Sequence, residues 1–160
     1  MIRFIAAIDS QRGIADEHGI PWQGLVPSDI AYYRKQVSTG TILMGSGLYK
    51  ELSKPYADSI NYVATRDNQP LREGFEAVTD ARVFLASRPK EELVWNLGGA
   101  LLYESTFDLA DELYLTLLEG DFNCTKFFPA YENQFELVSE SEPITENGIT
   151  FRFTIWKRKE

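Results

Sequence analysis

The chain has 160 residues, of which 44% are hydrophobic and 25% charged, a balance typical of one folded domain and not of a disordered chain. The net charge of −8 argues against a nucleic-acid-binding protein, and we interpret the basic run Lys157-Arg158-Lys159 as a solvated strand end. The longest apolar runs are far shorter than a membrane span, so no membrane partner is expected.

The N-terminal segment and the cysteine content both favour a cytoplasmic protein. The first segment, MIRFIAAIDS, lacks the apolar core and cleavage site of a signal peptide, so we interpret it as a first strand. Cys124 is the single cysteine, which excludes an internal disulfide and favours a cytoplasmic protein. With His18 as the single histidine, we expect no metal site built on His or Cys and no Ser-His-Asp or Cys-His catalysis.

Apolar runs separated by glycine and proline predict strands that alternate with helices along the chain. The predicted strands are 2–8, 41–44, 60–65, 75–78, 93–97, 113–118, 135–141 and 149–157. A loop containing Gly13 and Gly19 follows the first strand. The predicted helices are 28–37, 48–52, one that ends at residue 87 and is capped by Thr79 or Asp80, and 100–106. Asn147-Gly148 is the strongest hairpin signal and is predicted to join the last two strands.

This order of elements predicts an α/β fold. We expect a single domain over residues 1–160, with a mostly parallel central twisted sheet of about eight strands, about four flanking helices and a C-terminal antiparallel β-hairpin. The chain contains no repeat, low-complexity tract or obvious linker that would divide it.

Two glycine-containing junctions, Gly45-Ser46-Gly47 and Gly98-Gly99, fall where a predicted strand ends and a helix begins. Such junctions expose backbone N–H groups and the positive end of a helix dipole to a phosphate, and glycine permits close approach. Neither matches the full dinucleotide-binding fingerprint, and each alone is compatible with a tight turn. Two of them in one short α/β chain predict a long ligand with a central pyrophosphate, bound beyond the carboxyl ends of the strands.

Asp29 is the best-placed lone acid, in the stretch GIPWQGLVPSDIAYYRK of residues 19–35. It is compatible with a purely structural role, in which a first-turn acid offsets the helix dipole by about 0.3–1 kcal/mol. Trp22 precedes it, however, and Tyr33 shares its helix face one turn later. A carboxylate beside an aromatic wall suits a flat, nitrogen-rich heterocycle, because its two oxygens accept two parallel N–H donors.

Segments across the whole chain carry a resemblance to a known family. They are, in order, IAAI, GIADEHGIPW, PSDIAYYRK, ILMGSGLYKEL, VWNLGGALLYE, ELYLTLLEGDFNCTKFFP and the final hairpin. The succession of Pro-Trp, a buried Asp, Met-Gly and Gly-Gly-x-x-x-Tyr-Glu is specific, although no piece is specific alone. In this combination the chain resembles the dihydrofolate reductase family.

The resemblance implies NADPH-dependent reduction of 7,8-dihydrofolate to 5,6,7,8-tetrahydrofolate, with hydride transfer to C6 and protonation at N5. Asp29 would hold the pterin, and the Thr116 hydroxyl would link Asp29 to the substrate. Trp22 would orient the water that delivers the proton, and Tyr103 would lie beside the nicotinamide. An oxidoreductase of this kind would serve one-carbon metabolism and would be an antifolate target.

The resemblance also implies two sets of ligand-binding residues and an adenosine-binding subdomain at about 40–90. With Asp29 and Thr116, the substrate-binding set is Ile5, Ala6, Ala7, Ile30, Tyr33, Leu52, Lys54 and Leu97. The cofactor-binding set is Ala7, Ile14, Gly45, Ser46, Gly47, Leu48, Thr65, Arg66, Gly98, Gly99, Ala100, Leu101, Leu102 and Tyr103. The partners would be small molecules only, and we expect a monomer.

On the substrate side, this chain departs from the family pattern at one position. The family usually carries an Arg that clamps the α-carboxylate of the folate glutamate, and Ser59 stands at that position here. A serine cannot replace a bidentate guanidinium. Either Lys54 serves as a weaker substitute, or the glutamate tail is held loosely.

Three further departures concern the cofactor and a loop. Ser46 and Leu48 replace an Arg and a hydroxyl residue that the family often has on the cofactor side. Arg66 would recover a contact to the 2′-phosphate, although an exposed loop arginine with no such role is an equal alternative. Thr125 stands where the family often has an Asp in its loop below the active site, so loop motion can differ.

Two rival functions remain on the sequence alone. The first is the NADPH-dependent aminopyrimidine reductase of riboflavin synthesis, which the missing clamp arginine favours and the spacing of Trp22 and Asp29 disfavours. The second is a non-catalytic pterin- or nucleotide-binding module, which would bind the cofactor without turnover. The residues expected for proton delivery and hydride alignment are all present, which favours the reductase.

Overall fold

A mixed β-sheet flanked by helices organises the chain, in a computed structural model that describes residues 1–56, 61–67 and 69–160. The strands are β1 (Ile2–Ile8), β2 (Gly13–Ala15), β3 (Thr41–Gly45), β4 (Asn61–Ala64), β5 (Phe75–Val78), β6 (Val94–Asn96), β7 (Glu112–Leu118), β8 (Lys126–Phe127), β9 (Phe135–Glu140), β10 (Ile144–Glu146) and β11 (Ile149–Arg158). The helices are α1 (Pro27–Val37), α2 (Ser46–Glu51), α3 (Ala81–Ser87) and α4 (Ala100–Thr106), followed by a 3₁₀ turn at Phe107–Leu109. No helix in these described ranges is long and apolar enough to cross a membrane.

The main sheet has the strand order β10-β11-β7-β1-β6-β3-β4-β5, and β9 pairs with the other half of β11. Strands β7, β1, β6, β3, β4 and β5 run parallel, whereas β11 is antiparallel to β7, β9 and β10. The predicted α/β fold, mostly parallel with an antiparallel C-terminal edge, is therefore confirmed.

Helices cover both faces of the sheet, as alternation along β3 illustrates. Ile42 and Met44 pack on the face that carries Val37 of α1, whereas Leu43 packs on the opposite face with Leu85 of α3. All three β3 side chains are fully buried. A strand buried on both faces reads as a continuous apolar run, which is why TILM was identifiable from sequence.

The element boundaries follow local capping and turn chemistry. The Asp80 carboxylate accepts a hydrogen bond from the Val83 N–H at 3.1 Å, so the predicted N-cap of α3 is confirmed. Asn147 and Gly148 adopt φ of 51° and 77°, the left-handed values that a two-residue hairpin turn requires.

Three predictions of secondary structure need correction. The loop after β1 contains the short strand β2, which pairs with β8 outside the main sheet. Helix α2 begins at Ser46 rather than at residue 48. The Asn147-Gly148 turn joins β10 to β11, and not the strand at 135–141, because β10 is a three-residue strand that was too short to show a pattern. The predicted strand at 60–65 is described from Asn61 to Ala64.

Candidate active site

Asp29 lies in the first turn of α1 and is only 8% exposed. The hydroxyl of Thr116, in the middle of β7, donates a hydrogen bond of 2.7 Å to Asp29 Oδ1. Thr116 is paired in register with Ala7 of β1 and is itself buried. The fold thus brings together three residues of the predicted site that are far apart in sequence.

Burial is the main influence on the Asp29 carboxylate, and it raises the pKa above the usual 3.8. The hydrogen bond from Thr116 acts in the opposite direction, and the negative charge of Glu146 raises the pKa further. An ionised carboxylate with little water and one hydrogen bond is costly, so a ligand that supplies N–H donors or positive charge would relieve the cost.

Glu146 is a functional candidate that the sequence reasoning missed. It stands at the end of β10, and its carboxylate accepts hydrogen bonds from Ser28 N at 3.0 Å and Ser28 Oγ at 2.5 Å. It thereby binds the amino end of α1, one residue before Asp29. The neighbouring Asn147 amide donates to the Leu25 carbonyl at 2.7 Å. Ser28 and Glu146 are 118 positions apart in sequence, and no local pattern predicts such a pair.

Glu146→Gln is expected to lower the pKa of Asp29, because it removes a like charge from the vicinity of the carboxylate. The measurement is a ¹³C NMR titration of the Asp29 carboxyl carbon in the wild type and the variant. Glu142→Gln, the same change of charge at an exposed position that precedes β10, serves as the control and should leave the Asp29 titration where it is. An unchanged or raised pKa in Glu146→Gln would contradict the electrostatic contribution.

Tyr32 and Tyr33 of α1 lie close enough to Asp29 for its charge to contribute to their raised pKa values. The Tyr33 and Tyr56 hydroxyls are 3.2 Å apart, and burial raises the pKa of both. Tyr32 stacks on Phe153 with ring centroids 4.0 Å apart. These contacts keep the two α1 tyrosines neutral and fixed in place near the carboxylate.

Trp22 is buried at the end of the loop that leads into α1. Its ring packs edge-on against Phe122, with centroids 5.2 Å apart, in an apolar cluster that also contains Val26 and Leu118. Ala7 packs against the same cluster. The indole is therefore held between the loop before α1 and the loop after β7.

Several other residues of the predicted substrate-binding and cofactor-binding sets divide between two faces of the sheet. One apolar cluster includes or directly contacts Ile5, Tyr33, Leu48, Leu52 and Leu97. Ala6 and Ile14 instead pack on the opposite face, with Phe4 and Ile8. Ile30 is 37% exposed on α1. The first group forms the apolar surroundings into which the aromatic side chains of α1 project.

The two glycine junctions contact each other, because β3 and β6 are neighbouring parallel strands. Gly45 N–H donates to the Gly98 carbonyl at 2.7 Å, and a Cβ at Gly45 would lie 3.3 Å from that oxygen. Within the described residues, and apart from chain neighbours and the backbone of α2 itself, no atom lies within 4 Å of where a Cβ would stand at Gly47 or Gly99. Helix α2 begins within the first junction, at Ser46, and helix α4 begins directly after the second. Open space therefore adjoins two helix starts, which fits an extended anionic ligand.

Asn96 supports the second junction and was not predicted. It is fully buried at the end of β6, where its side-chain oxygen accepts from Gly98 N at 2.9 Å and its amide donates to Thr106 Oγ1 at 3.1 Å. The signal available in the sequence was a polar residue inside the apolar run VWNL, directly before Gly-Gly. Tyr103 completes the arrangement, since its buried hydroxyl donates to the Ile5 carbonyl at 2.6 Å.

The remaining predicted residues lie at or near the surface, apart from Leu102, which is buried in α4. Those that are exposed or partly exposed are Ser46, Lys54, Thr65, Arg66, Ala100 and Leu101. Arg66 directly follows Thr65, whose hydroxyl accepts from Asp67 N at 3.1 Å. Ser59, where the clamp arginine was expected, lies outside the described residues.

These features identify the class of protein. It is an α/β protein with a mainly parallel sheet, in which a nearly buried carboxylate and two glycine junctions lie at the carboxyl ends of the strands. Comparison with known proteins agrees with this class. The family model for dihydrofolate reductase matches residues 1–158. The chain therefore belongs to the dihydrofolate reductase family, and it is an enzyme of the oxidoreductase class.

Individual relatives match over most of their length. Dihydrofolate reductase of Bacillus subtilis (strain 168) is 31% identical over 164 residues, which cover 99% of this chain and 95% of that protein. The enzyme of Staphylococcus aureus (strain Mu50) is 29% identical over 142 residues, 88% and 86% of the two chains. A solved structure of dihydrofolate reductase from Enterococcus faecalis, complexed with NADP(H) and RAB-propyl, superposes with a TM-score of 0.86 at 22% identity, covering 100% of this chain and 97% of that one.

Proposed function

We propose that this protein reduces 7,8-dihydrofolate to 5,6,7,8-tetrahydrofolate with NADPH, by hydride transfer to C6 and protonation at N5. The observation that carries the proposal is the buried Asp29 carboxylate, hydrogen-bonded to Thr116 and with a raised pKa. Two carboxylate oxygens suit the paired N–H donors of a pterin, and one of them already accepts from Thr116. Membership of the family supports the same substrate.

Asp29 orients the substrate ring and favours its protonated form. Thr116 fixes the carboxylate and offers its hydroxyl oxygen as an acceptor for a substrate N–H. Trp22, rigid in its apolar cluster, positions the water that delivers the proton. The apolar cluster around Ile5 and Leu97 keeps other water from the reacting ring.

NADPH supplies the hydride when it is bound. The open space beside Gly47 and Gly99 fits its pyrophosphate, and Tyr103 and the Leu97 carbonyl would border its nicotinamide. We assign the adenosine end to a subdomain of about residues 40–90. The residues invoked all belong to one chain, so the proposal requires no partner subunit.

The proposal is tested by the oxidation of NADPH, followed by absorbance, with dihydrofolate and then with dihydropteroate, which lacks the glutamate. Turnover of both with similar KM supports the reductase and a loosely held glutamate tail. A clear preference for dihydrofolate indicates a cation that replaces the clamp arginine, with the exposed Lys54 as the first candidate. Turnover of neither, together with reduction of a phosphorylated aminopyrimidine, would overturn the proposal in favour of the riboflavin-pathway reaction.

Arg66→Ala is expected to raise the KM for NADPH much more than the KM for NADH. The reason is that only NADPH carries the 2′-phosphate, and Arg66 is an exposed cation directly after β4. Initial rates with each cofactor at saturating dihydrofolate give both values, and NADH is the internal control. Equal effects on the two cofactors would contradict the 2′-phosphate contact and leave Arg66 as a surface residue.

A further inference from the structure

Asp9 is a buried carboxylate, only 4% exposed, to which the proposed reaction assigns no role. It directly follows β1 and lies where two loops meet. We call residues 9–13 the β1–β2 turn and residues 119–125 the β7–β8 loop. The two loops begin at the carboxyl ends of β1 and β7. Trp22, Asp29 and Thr116 lie on this side of the sheet.

The two oxygens of Asp9 bind different loops. Oδ1 accepts hydrogen bonds from Gln11 N at 2.9 Å and Gly13 N at 2.8 Å, both in the β1–β2 turn. Oδ2 accepts from Phe122 N at 2.9 Å, in the β7–β8 loop. One side chain thus accepts hydrogen bonds from three backbone donors in two segments that are more than 100 residues apart in sequence.

The packing around this junction leaves no room for a side chain at Gly13. A Cβ at Gly13 would lie 2.8 Å from Cys124 Sγ and 2.9 Å from Asp9 Oδ1. Burial, and then the charge of Asp9, raise the pKa of the Cys124 thiol to about 11, so the thiol stays protonated beside the carboxylate. A backbone hydrogen bond from Ser10 N–H to the Gly120 carbonyl joins the same two loops, and Thr125 N–H donates to the carbonyl of Ala15 in β2.

The junction connects to the proposed proton-delivery residue through one side chain. Phe122, whose N–H is held by Asp9, packs its ring edge-on against Trp22 with centroids 5.2 Å apart. Trp22 has no other ring contact among the described aromatic pairs. Phe122 is thus the ring contact through which the β7–β8 loop reaches the indole, beside the aliphatic neighbours Val26 and Leu118 in the same cluster.

We propose that Asp9 is a positioning residue for the reductase reaction, which fixes Trp22 by holding the Phe122 backbone in the β7–β8 loop. This inference depends on the proposed function only for the expected loss of kcat. Asparagine at position 9 would be isosteric but would have only one acceptor oxygen. That oxygen could accept hydrogen bonds from one loop, whereas the side-chain NH₂ group would face the N–H donors of the other loop. Unsatisfied buried donors of this kind force a shift of the loop or a water between the groups.

The test combines Asp9→Asn, Phe122→Leu and the double variant. Asp9→Asn should lower kcat about 5- to 30-fold, which corresponds to one or two kcal/mol, with little change in the KM for dihydrofolate. If Asp9 acts through Phe122, the two substitutions are non-additive, and the double variant loses little more than the larger single loss. Multiplicative losses, or a wild-type kcat in Asp9→Asn, would overturn the proposal.

Asp121→Asn is the matched control, because it makes the same change of charge in the same loop. Asp121 is exposed, and its side chain accepts a hydrogen bond within its own loop, from Asn123 N at 2.8 Å. Asp121→Asn should leave kcat unchanged, and its effect should be additive with that of Phe122→Leu. If Asp9→Asn does not fold, Asp9→Ser replaces it, since a hydroxyl keeps one acceptor and can turn its proton away from both loops.

A second readout does not depend on turnover. In ¹H–¹⁵N spectra, the indole N–H resonance of Trp22 should shift in Asp9→Asn and Phe122→Leu and remain in place in Asp121→Asn. Absence of any shift in Asp9→Asn would overturn the proposal even if activity fell. If the wild type itself does not reduce dihydrofolate, the proposed function fails while the indole spectra still decide the role of Asp9.

Discussion

Asp29→Asn is expected to lower the turnover of dihydrofolate by about 10²–10⁴-fold, the usual range for loss of a positioned acid–base group. Asparagine keeps an oxygen that can accept from Thr116 Oγ1, so the hydrogen bond seen at 2.7 Å can persist. It replaces the second oxygen by an N–H₂ donor, which faces the N–H donors of the substrate and carries no charge to favour a protonated ring. Steady-state NADPH oxidation gives kcat and kcat/KM for both proteins.

The same variant is expected to fold at least as stably as the wild type, which separates a catalytic loss from a structural one. Because the pKa of Asp29 is raised in the folded state, ionisation favours unfolding. The wild-type stability that depends on this group is fully present below the unfolded pKa of about 3.8 and is lost as pH rises through the higher folded value. Asp29→Asn removes this pH dependence.

Urea unfolding of both proteins without ligand, at acidic and neutral pH, measures the difference. The unfolding free energy of Asp29→Asn should increase relative to that of the wild type as the pH rises. Thr116→Ser, which keeps the hydroxyl, is the matched control and should retain most activity. Turnover of Asp29→Asn within a few-fold of wild type would remove Asp29 from the active site and leave it as an acid of the first helical turn.

Gly98→Ala is expected to destabilise the fold by about 2–5 kcal/mol and to raise the KM for NADPH. The residue has φ of 76°, which costs a side chain about 1–2 kcal/mol, and overpacking adds about 1–3 kcal/mol. A Cβ would overlap the ring of Tyr103 and stand 2.8 Å from its hydroxyl. Tyr103 cannot retreat, because it bonds the Ile5 carbonyl and packs against Phe4 and Phe128 at centroid distances of 5.5 and 5.0 Å.

Gly148→Ala isolates the backbone contribution of that effect. Gly148 has nearly the same φ, 77°, but among the described residues nothing beyond its chain neighbours lies within 4 Å of where its Cβ would stand. Urea denaturation should therefore show only the smaller loss in Gly148→Ala, with no change in the KM for NADPH. Equal losses of unfolding free energy in the two variants would show that Tyr103 does not confine the Gly98 junction.

The local sequence was informative wherever an element had a strong pattern of its own. Helix α4 and strand β5 have the predicted bounds, and the Asp80 cap of α3 was read from its residue type. Strands β2 and β10 were missed because, unlike the equally short β6, neither lies in a buried apolar run, and both depend on the partner that pairs with them.

The candidate site shows the same division. Asp29 and both glycine junctions were found because each sits at a predicted boundary between a strand or loop and a helix. Glu146 and Asp9 were not found, since each acts through hydrogen bonds to distant segments that the sequence pattern does not encode. Asn96 was also missed, although a polar residue in the apolar run directly before Gly98-Gly99 was a usable signal. Asp9 and Glu146 in particular contact residues more than 100 positions away.

By itself, the sequence determined the alternation of strands and helices, the position of the lone carboxylate beside aromatic residues, and the family. These follow from hydrophobic periodicity, turn residues and motif order, which are properties of neighbouring positions. The tertiary structure alone decided that Thr116 bonds Asp29, that Gly45 bonds Gly98, and that Asp9 joins two loops behind Trp22. The physical reason is that a hydrogen bond across the sheet depends on strand order and register, and these are set by the packing of the whole chain.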